Sequence, residues 1–373
     1  MKTQDFLGLS TQESHRIVSF PASQSLNAST ASDLGALSTG LPQLDEALRP
    51  PSPEDVPGRS GEVEPTGIEY GHITEVFGPP GAGKTSMAIS VAATALRDGY
   101  KVIWIDTGSP LPRFRLEKML RKSTNENAFD ASEDRLDNLV YFHAKSLPHL
   151  LALLMHPPND FPPEDARLLV IDSVSALFSS YFLNPSEFRS RLPQSGITDK
   201  SQIQWLVNRK WNVTSDLGNQ LVKLAVTHRL AVLLINQTHT RIKGQPRATL
   251  SPVLAGGTWE NSIHTRLAIY RDLPEDEEHC NQTRFAEVMK RSGKTLFLRL
   301  DENIVPFKIE TDGLCGISQV QSLPVLPPEP VDATLLVSQR KRKVDEIADS
   351  HDEESDEELD WDEGGDTGRG EED

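Results

Sequence analysis

Cysteine is scarce: among 373 residues there are only Cys280 and Cys315. Two are too few for a disulfide framework or a four-cysteine metal site, and free thiols suit a reducing compartment. Long apolar runs are missing too. No stretch approaches the roughly 18 consecutive apolar residues of a transmembrane helix, and the opening MKTQDFLGLSTQESHR has no apolar segment of a secretory signal. A membrane partner is therefore excluded from the expected set. Positive charge is short overall, at a net −17, but unevenly so. Residues 345–373 hold 16 acidic residues against one base, Arg369, while residues 1–344 carry a net charge of only −2. The acidity belongs to a tail, so it is no argument against nucleic-acid binding by the body.

Composition divides the chain. Residues 1–37, rich in Ser, Thr, Ala and Gln without sustained periodicity, read as disordered, with one short segment around Ile17–Phe20. Residues 49–65, RPPSPEDVPGRSGEVEP, hold five prolines and two glycines and read as a flexible insertion. From residue 322 onward a proline-rich linker, a basic cluster and an acidic run read as a solvated tail. Residues 38–321, less the insertion, are left for one large α/β domain. Within it Ile73–Phe77, Val102–Ile105, Val140–Phe142, Leu168–Ile171 and Val232–Ile235 read as strands buried on both faces. Ser86–Arg97, Leu147–Met155 and Trp205–His228 read as the helices between them. The alternation implies a mostly parallel sheet flanked by helices. Thr265–Arg271, Arg284–Met289 and Leu296–Leu300 read as extra strands open to antiparallel pairing.

Gly78-Pro79-Pro80-Gly81-Ala82-Gly83-Lys84-Thr85 fits the phosphate-loop pattern G-x-x-x-x-G-K-[ST] in full. Glycines let successive backbone N–H groups turn inward around phosphates, some with positive φ. Lys84 supplies a point charge for the β- and γ-phosphates, the Thr85 hydroxyl a ligand for Mg²⁺, and the following helix its positive N-terminus. ATP and Mg²⁺ are thus the expected cofactors. Such a site needs a carboxylate on a neighbouring strand end. Asp172 closes Leu168–Ile171 and is the first candidate; Asp106, closing Val102–Ile105, competes with it.

These pieces in order resemble the RecA-type recombinase family, most closely its eukaryotic, fungal paralogues. The matching residues are Ser38-Thr39-Gly40 with Leu44-Asp45 and Leu48, Gly67-Ile68, Gly71 to Glu75, and the phosphate loop. Ile105-Asp106-Thr107, Leu169 to Ser173, Leu234 to Gln237, Ala255-Gly256-Gly257 and Thr265-Arg266-Leu267 follow. The likeness spans residues 38–314, and only the phosphate loop is specific taken singly. It implies a RecA-type P-loop NTPase core in a nuclear recombination mediator. Single-stranded DNA, a second paralogue in a heterodimer and the main recombinase filament are the partners it implies. Carried over, Gln237 becomes a γ-phosphate sensor, a role suited to an amide that both accepts and donates, and joins Lys84 in the catalytic set. Arg115 falls where the family sets a residue against adenine.

Two departures qualify the resemblance. Where the family has a Glu that activates water, this chain has Gly108, which has no side chain to act as a base; slow hydrolysis is expected unless Glu75 or Asp106 substitutes. The family's helical N-terminal DNA-binding domain has no counterpart, and Phe20-Pro-Ala-Ser only suggests its polymerisation element. Two cation-bearing loops occupy DNA-facing positions: Arg189, Arg191 and Lys200 in the first, Arg241, Lys243 and Arg247 in Thr238–Gly257, which has neither helical nor strand period. Neither loop has an aromatic for base stacking; Trp259 lies just beyond the second. Arg340-Lys341-Arg342-Lys343 fits a nuclear-import pattern. The acidic tail after it, with Trp361 as an apolar anchor, can screen the DNA loops, dock a basic partner or simply solubilise.

Overall fold

Val102, Trp104, Leu168, Val170, Leu233 and Ile235 face one apolar layer, while their chain neighbours Ile103, Ile105, Leu169, Ile171, Val232 and Leu234 face another. Side chains alternate along a strand, so continuous apolar runs arise only when both faces of a sheet are covered. The computed structural model describes residues 35–49, 66–121, 135–182, 200–241, 249–254, 256–271, 283–296 and 301–317; within those, side chains of 200–207, 240–241, 249–250 and 301 are not described.

In chain order the first elements are β1 (Ala36–Leu37), α1 (Pro42–Ala47), β2 (Ile68–Glu69), β3 (Ile73–Phe77), α2 (Lys84–Arg97) and β4 (Lys101–Asp106). Then come α3 (Arg113–Arg121), β5 (Leu139–His143), α4 (Leu147–Met155), β6 (Ala166–Asp172), α5 (Val174–Tyr181), α6 (Lys200–His228) and β7 (Ala231–Asn236). The last group is β8 (Thr238–Arg241), β9 (Thr249–Pro252), α7 (Gly257–Ser262), β10 (Thr265–Tyr270), β11 (Thr283–Arg291), β12 (Lys294–Thr295), β13 (Ile304–Glu310) and β14 (Gly313–Gly316).

Among the described residues the main sheet runs β14-β13-β11-β10-β3-β7-β6-β4-β5, with β12 paired to β11. The segment from β10 to β5 is parallel, and β11, β13 and β14 extend it antiparallel. Helices α1, α2 and α3 pack on one face, and α4 to α7 on the other. Helix α2 is alanine-rich and buried at ten of its 14 positions, so it lies against the sheet as a core element. Over its described side chains, from residue 208 on, α6 is buried on one side, at Thr214, Leu217, Leu221, Leu224 and Ala225, while Val226 is 60% exposed.

The five expected central strands and three expected helices are all present, each within a few residues of its expected limits. Three details differ. Thr265–Tyr270 has the antiparallel pairing that was open to it with β11 alone; it is parallel to β3, because α7 returns the chain to the strand's entry edge. Of the expected strand Leu296–Leu300, Leu296 lies just beyond β12 and 297–300 are outside the described residues; β13, which was not expected, follows further on. Its Pro306 argues against a strand in sequence. The β13–β14 ladder pairs Phe307 with Gly316 at its end, and Pro306 contributes only a carbonyl, accepting from Ile317 N–H at 3.2 Å. The third difference is the β8–β9 hairpin in Thr238–Gly257, where no strand period was read. Thr238, Thr240 and Thr249 are β-branched and favour extended backbone, but a ribbon of polar residues lacks the apolar alternation of a strand with a buried face.

Candidate nucleotide site

Two positions of the loop after β3 have no room for a side chain. A Cβ on Gly78 would lie 2.0 Å from the Ile269 carbonyl oxygen in β10. At Gly83, which precedes α2 with φ +114°, a Cβ would lie 2.5 Å from Ile309 Cδ1. Both positions require glycine, the second for its left-handed backbone as well. Pro79 and Pro80 hold the first turn, and Ala82 N–H donates to Pro79 O at 3.2 Å. Lys84 Nζ donates to the carbonyls of Gly78 at 2.7 Å and Pro79 at 3.0 Å, so its ammonium stands inside the curve of the loop. Burial lowers the Lys84 pKa, and the Asp172 carboxylate opposes that shift.

Thr85 donates its hydroxyl to Asp172 Oδ2 at 2.7 Å, joining the first turn of α2 to the end of β6 across 87 residues. Burial pushes the Asp172 carboxyl above its ordinary range, against the hydrogen bond from Thr85 and the charge of Lys84, and the nearby Asp106 pushes it further up. A carboxylate so placed is short of positive charge. Two hard oxygens at the loop's mouth fit Mg²⁺, whose remaining ligands are normally waters and phosphate oxygens.

Asp106, the rival, is adjacent in the sheet but already engaged. It accepts from Tyr141 Oη at 2.6 Å and from Gly108 N–H at 2.9 Å, and lies 3.2 Å from His143 Nδ1. Burial, and after it the hydrogen bond to Asp106, pushes the Tyr141 hydroxyl up to about 12. Glu75 is no substitute base either. It is fully buried and accepts from Arg266 Nε at 2.6 Å, Trp259 Nε1 at 3.3 Å and Asn236 Nδ2. Three donors crowd its two oxygens, and its burial keeps water away from them.

Arg115 comes to the loop from α3. It donates to Ser86 Oγ at 2.9 Å and lines a cavity of about 250 Å³ with Gly81, Gly83, Lys84, Thr85, Arg284 and Ile309. Arg271, at the end of β10, donates to the Gly81 carbonyl at 3.0 Å. Burial lowers the pKa of Arg284, and so does the charge of Arg271 and Arg115. Guanidinium groups do not lose their protons in proteins, so three like charges stand around the loop. Sequence reading missed Arg271, Arg284 and Ile309. Nothing in their spacing flags them; only the pairing of β10 beside β3, and of β11 and β13 beyond it, brings them to the loop.

Gln237 is exposed and sits between β7 and β8. Its backbone N–H donates to Ser175 Oγ at 2.8 Å, and its carbonyl accepts from Val253 N–H at 3.0 Å beyond the hairpin. Asn236, its predecessor, pairs in register with Phe77, the residue before Gly78. The β8–β9 hairpin thus starts beside the phosphate loop. Both of its ends are tied to β3, since Asn236 before it and Trp259 after it bond the same Glu75 carboxylate. Trp259 is 1% exposed, so it is not available for base stacking.

The sequence model of the Rad51 family matches residues 61–271, more than half of the chain. The chain belongs to the Rad51 family. It is 25% identical over 351 residues to "DNA repair protein rhp55" of Schizosaccharomyces pombe, covering 83% of this chain and 94% of that protein. To "DNA repair and recombination protein RadB" of Methanocaldococcus jannaschii it is 30% identical over 187 residues, covering 47% of this chain and 70% of the relative. To "DNA repair and recombination protein RadA" of Methanoculleus marisnigri it is 30% identical over 255 residues, 65% and 73% of the respective chains. The parallel sheet, the phosphate loop and the flanking helices are the Rad51-type architecture expected from the motifs.

Most of the cations expected at a DNA face are not among the described residues. Arg189, Arg191, Lys243 and Arg247 lie outside the described residues, as do Cys280, Phe20-Pro-Ala-Ser and the whole tail with Trp361. Lys200 opens α6, and Arg241 closes β8. Cys315, in β14, is an exposed free thiol. Among the described residues no helix is long and apolar enough to cross a membrane.

Proposed function

We propose that this chain is an ATP- and Mg²⁺-binding recombinase paralogue of homologous-recombination repair. It assists the assembly or stability of a recombinase filament on single-stranded DNA. The observation that carries the nucleotide part is the Thr85–Asp172 pair at the mouth of a glycine-walled loop holding Lys84. Mg²⁺ bound there would neutralise phosphate charge. Lys84 would turn from the Gly78 and Pro79 carbonyls to the phosphates, Thr85 and Asp172 would hold the metal, and Arg115 and Arg284 would receive the part of the nucleotide that enters the cavity. Gln237, beside the end of β3, is the residue through which a γ-phosphate would bias the β8–β9 hairpin and its cation Arg241.

The mediator role is supported by Gly108. Glu75 and Asp106, the two candidates to substitute for the missing side chain, are both committed to protein donors. Likeness along 94% of a fission-yeast protein named for DNA repair supports the pathway, and the Arg340–Lys343 cluster supports a nuclear location. A heterodimeric partner and the main recombinase filament complete the reading. The test compares ATP turnover with single-stranded DNA for the isolated chain and for the chain co-purified with its partner. ATP binding that Lys84→Ala abolishes, with little turnover and no filaments from the isolated chain, is the expected result. Vigorous turnover with filament formation by the isolated chain would overturn the mediator role in favour of a self-sufficient strand-exchange ATPase.

A further inference from the structure

At the opposite end of β3 from the phosphate loop, three ligand-type side chains converge that the nucleotide site does not use. Glu69 ends β2, His72 immediately precedes β3, and His264 immediately precedes β10. Glu69 Oε2 lies 3.1 Å from His264 Nε2 and 4.0 Å from His72 Nε2, and one ligand atom from each residue lies within 4.8 Å of the others. The two imidazole rings stack with centroids 3.7 Å apart and planes at 15°. All three side chains are partly exposed, at 25%, 35% and 22% respectively.

The geometry points to a binding site for a zinc-type divalent transition metal, held by Glu69 Oε2, His72 Nε2 and His264 Nε2 with an open position toward solvent. Two imidazoles and one carboxylate suit zinc-like ions and not Mg²⁺ or Ca²⁺, which want oxygen ligands. Tetrahedral ligands at about 2.0–2.1 Å from zinc stand about 3.3 Å apart. The Glu69–His264 distance already meets that spacing, and the His72 contact needs to close by less than 1 Å. The stacked rings must splay for both nitrogens to face one ion. Rotation about the soft χ2 torsion accomplishes this, and partial exposure leaves room for it.

The backbone carrying the ligands is already anchored. His72 O accepts from Val232 N–H at 3.0 Å, His264 N–H donates to Ile73 O at 2.9 Å, and His264 O accepts from Gly293 N–H at 2.9 Å. Glu69 pairs with Ala36 in the β1–β2 ribbon. A bound ion would therefore clip that ribbon to the entry edge of the main sheet, joining residues 195 positions apart. The phosphate loop lies about 16 Å away, from the rise of the five-residue β3, and the two sites share no residue.

The experiment is Zn²⁺ titration of the full chain after chelator treatment, in a Cys280→Ser, Cys315→Ser background, with Mg²⁺ in excess. Wild-type ligands should give one tight site per chain that Mg²⁺ does not displace, and Co²⁺ should give a d–d absorption band there. His72→Asn and His264→Asn should each weaken this site by about tenfold or more, with ATP binding unchanged. If either histidine variant fails to fold by circular dichroism, Glu69→Gln takes its place with the same expected loss. The acidic tail binds metal loosely in every variant, so the difference between variants is what counts. Absence of a tight site in the parent chain, or a tight site that survives the substitutions, would overturn the assignment.

Discussion

Replacing Glu75 by Gln should be among the most damaging single-atom changes available in this protein. The carboxylate is fully buried and serves three donors: Arg266 Nε at Oε2, and Asn236 and Trp259 at Oε1. In Glu75→Gln the Oε1 contacts survive, but an amide NH₂ then faces the Arg266 N–H. Burial lowers the Arg266 pKa, yet the charges of Glu75 and Glu260 outweigh it and hold the guanidinium above its ordinary range. Breaking a buried pair costs about 3–5 kcal/mol. Arg266 keeps a second partner, Glu260 at 2.6 Å, half-exposed to water, so the lower end, about 3 kcal/mol, is expected. For a body of this size that is a fall in Tm of about 6–12 °C, at roughly 2–4 °C per kcal/mol. The assay is thermal unfolding of wild type, Glu75→Gln, Arg266→Met and the double variant. In the double variant no guanidinium is left beside the amide, so at least about 1 kcal/mol should be recovered relative to additivity. A loss below about 1 kcal/mol in the single variant, or strict additivity in the double, would show that the Glu75–Arg266 pair does not hold β3 and β10 together as described.

Other outcomes follow from the same geometry. Asp172→Asn should abolish the Mg²⁺ dependence of ATP binding yet raise the Tm of the nucleotide-free protein at neutral pH. The native carboxyl titrates above its unfolded value, so wild type loses stability as pH rises through that window, and the Tm gain should vanish on acidification, as a pH series of melts would show. Gly108→Glu should fold normally, because a Cβ there meets nothing within 4 Å. It should also raise single-stranded-DNA-dependent ATP turnover by about 10²–10⁴-fold if the missing base is the defect; unchanged turnover would mean that the bottleneck lies elsewhere. Tyr141→Phe should cost about 1 kcal/mol in a denaturant melt, since Asp106 loses one of its donors but keeps the Gly108 N–H.

The sequence alone determined whatever depends on local periodicity or on a contiguous motif. The apolar runs of β3, β4, β6 and β7 announce strands covered on both faces, and Gly78 to Thr85 announces an anion loop because its spacing is dictated by backbone geometry. Asp172 was a candidate for a related reason: a carboxylate that closes a buried strand emerges at the same sheet edge as the loop. Tertiary structure decided what depends on which strands are neighbours. Asp106 and Asp172 look alike in sequence, and only the approach of Tyr141 and His143 from β5 commits the first while Thr85 claims the second. Glu75 reads as the lone charge in a buried strand until Asn236, Trp259 and Arg266 close on it from segments more than 160 residues away. Arg271, Arg284 and the Glu69–His72–His264 cluster follow the same logic. Side chains become a site when strand order brings them together, and strand order among parallel strands is set by long crossovers whose packing no local pattern records.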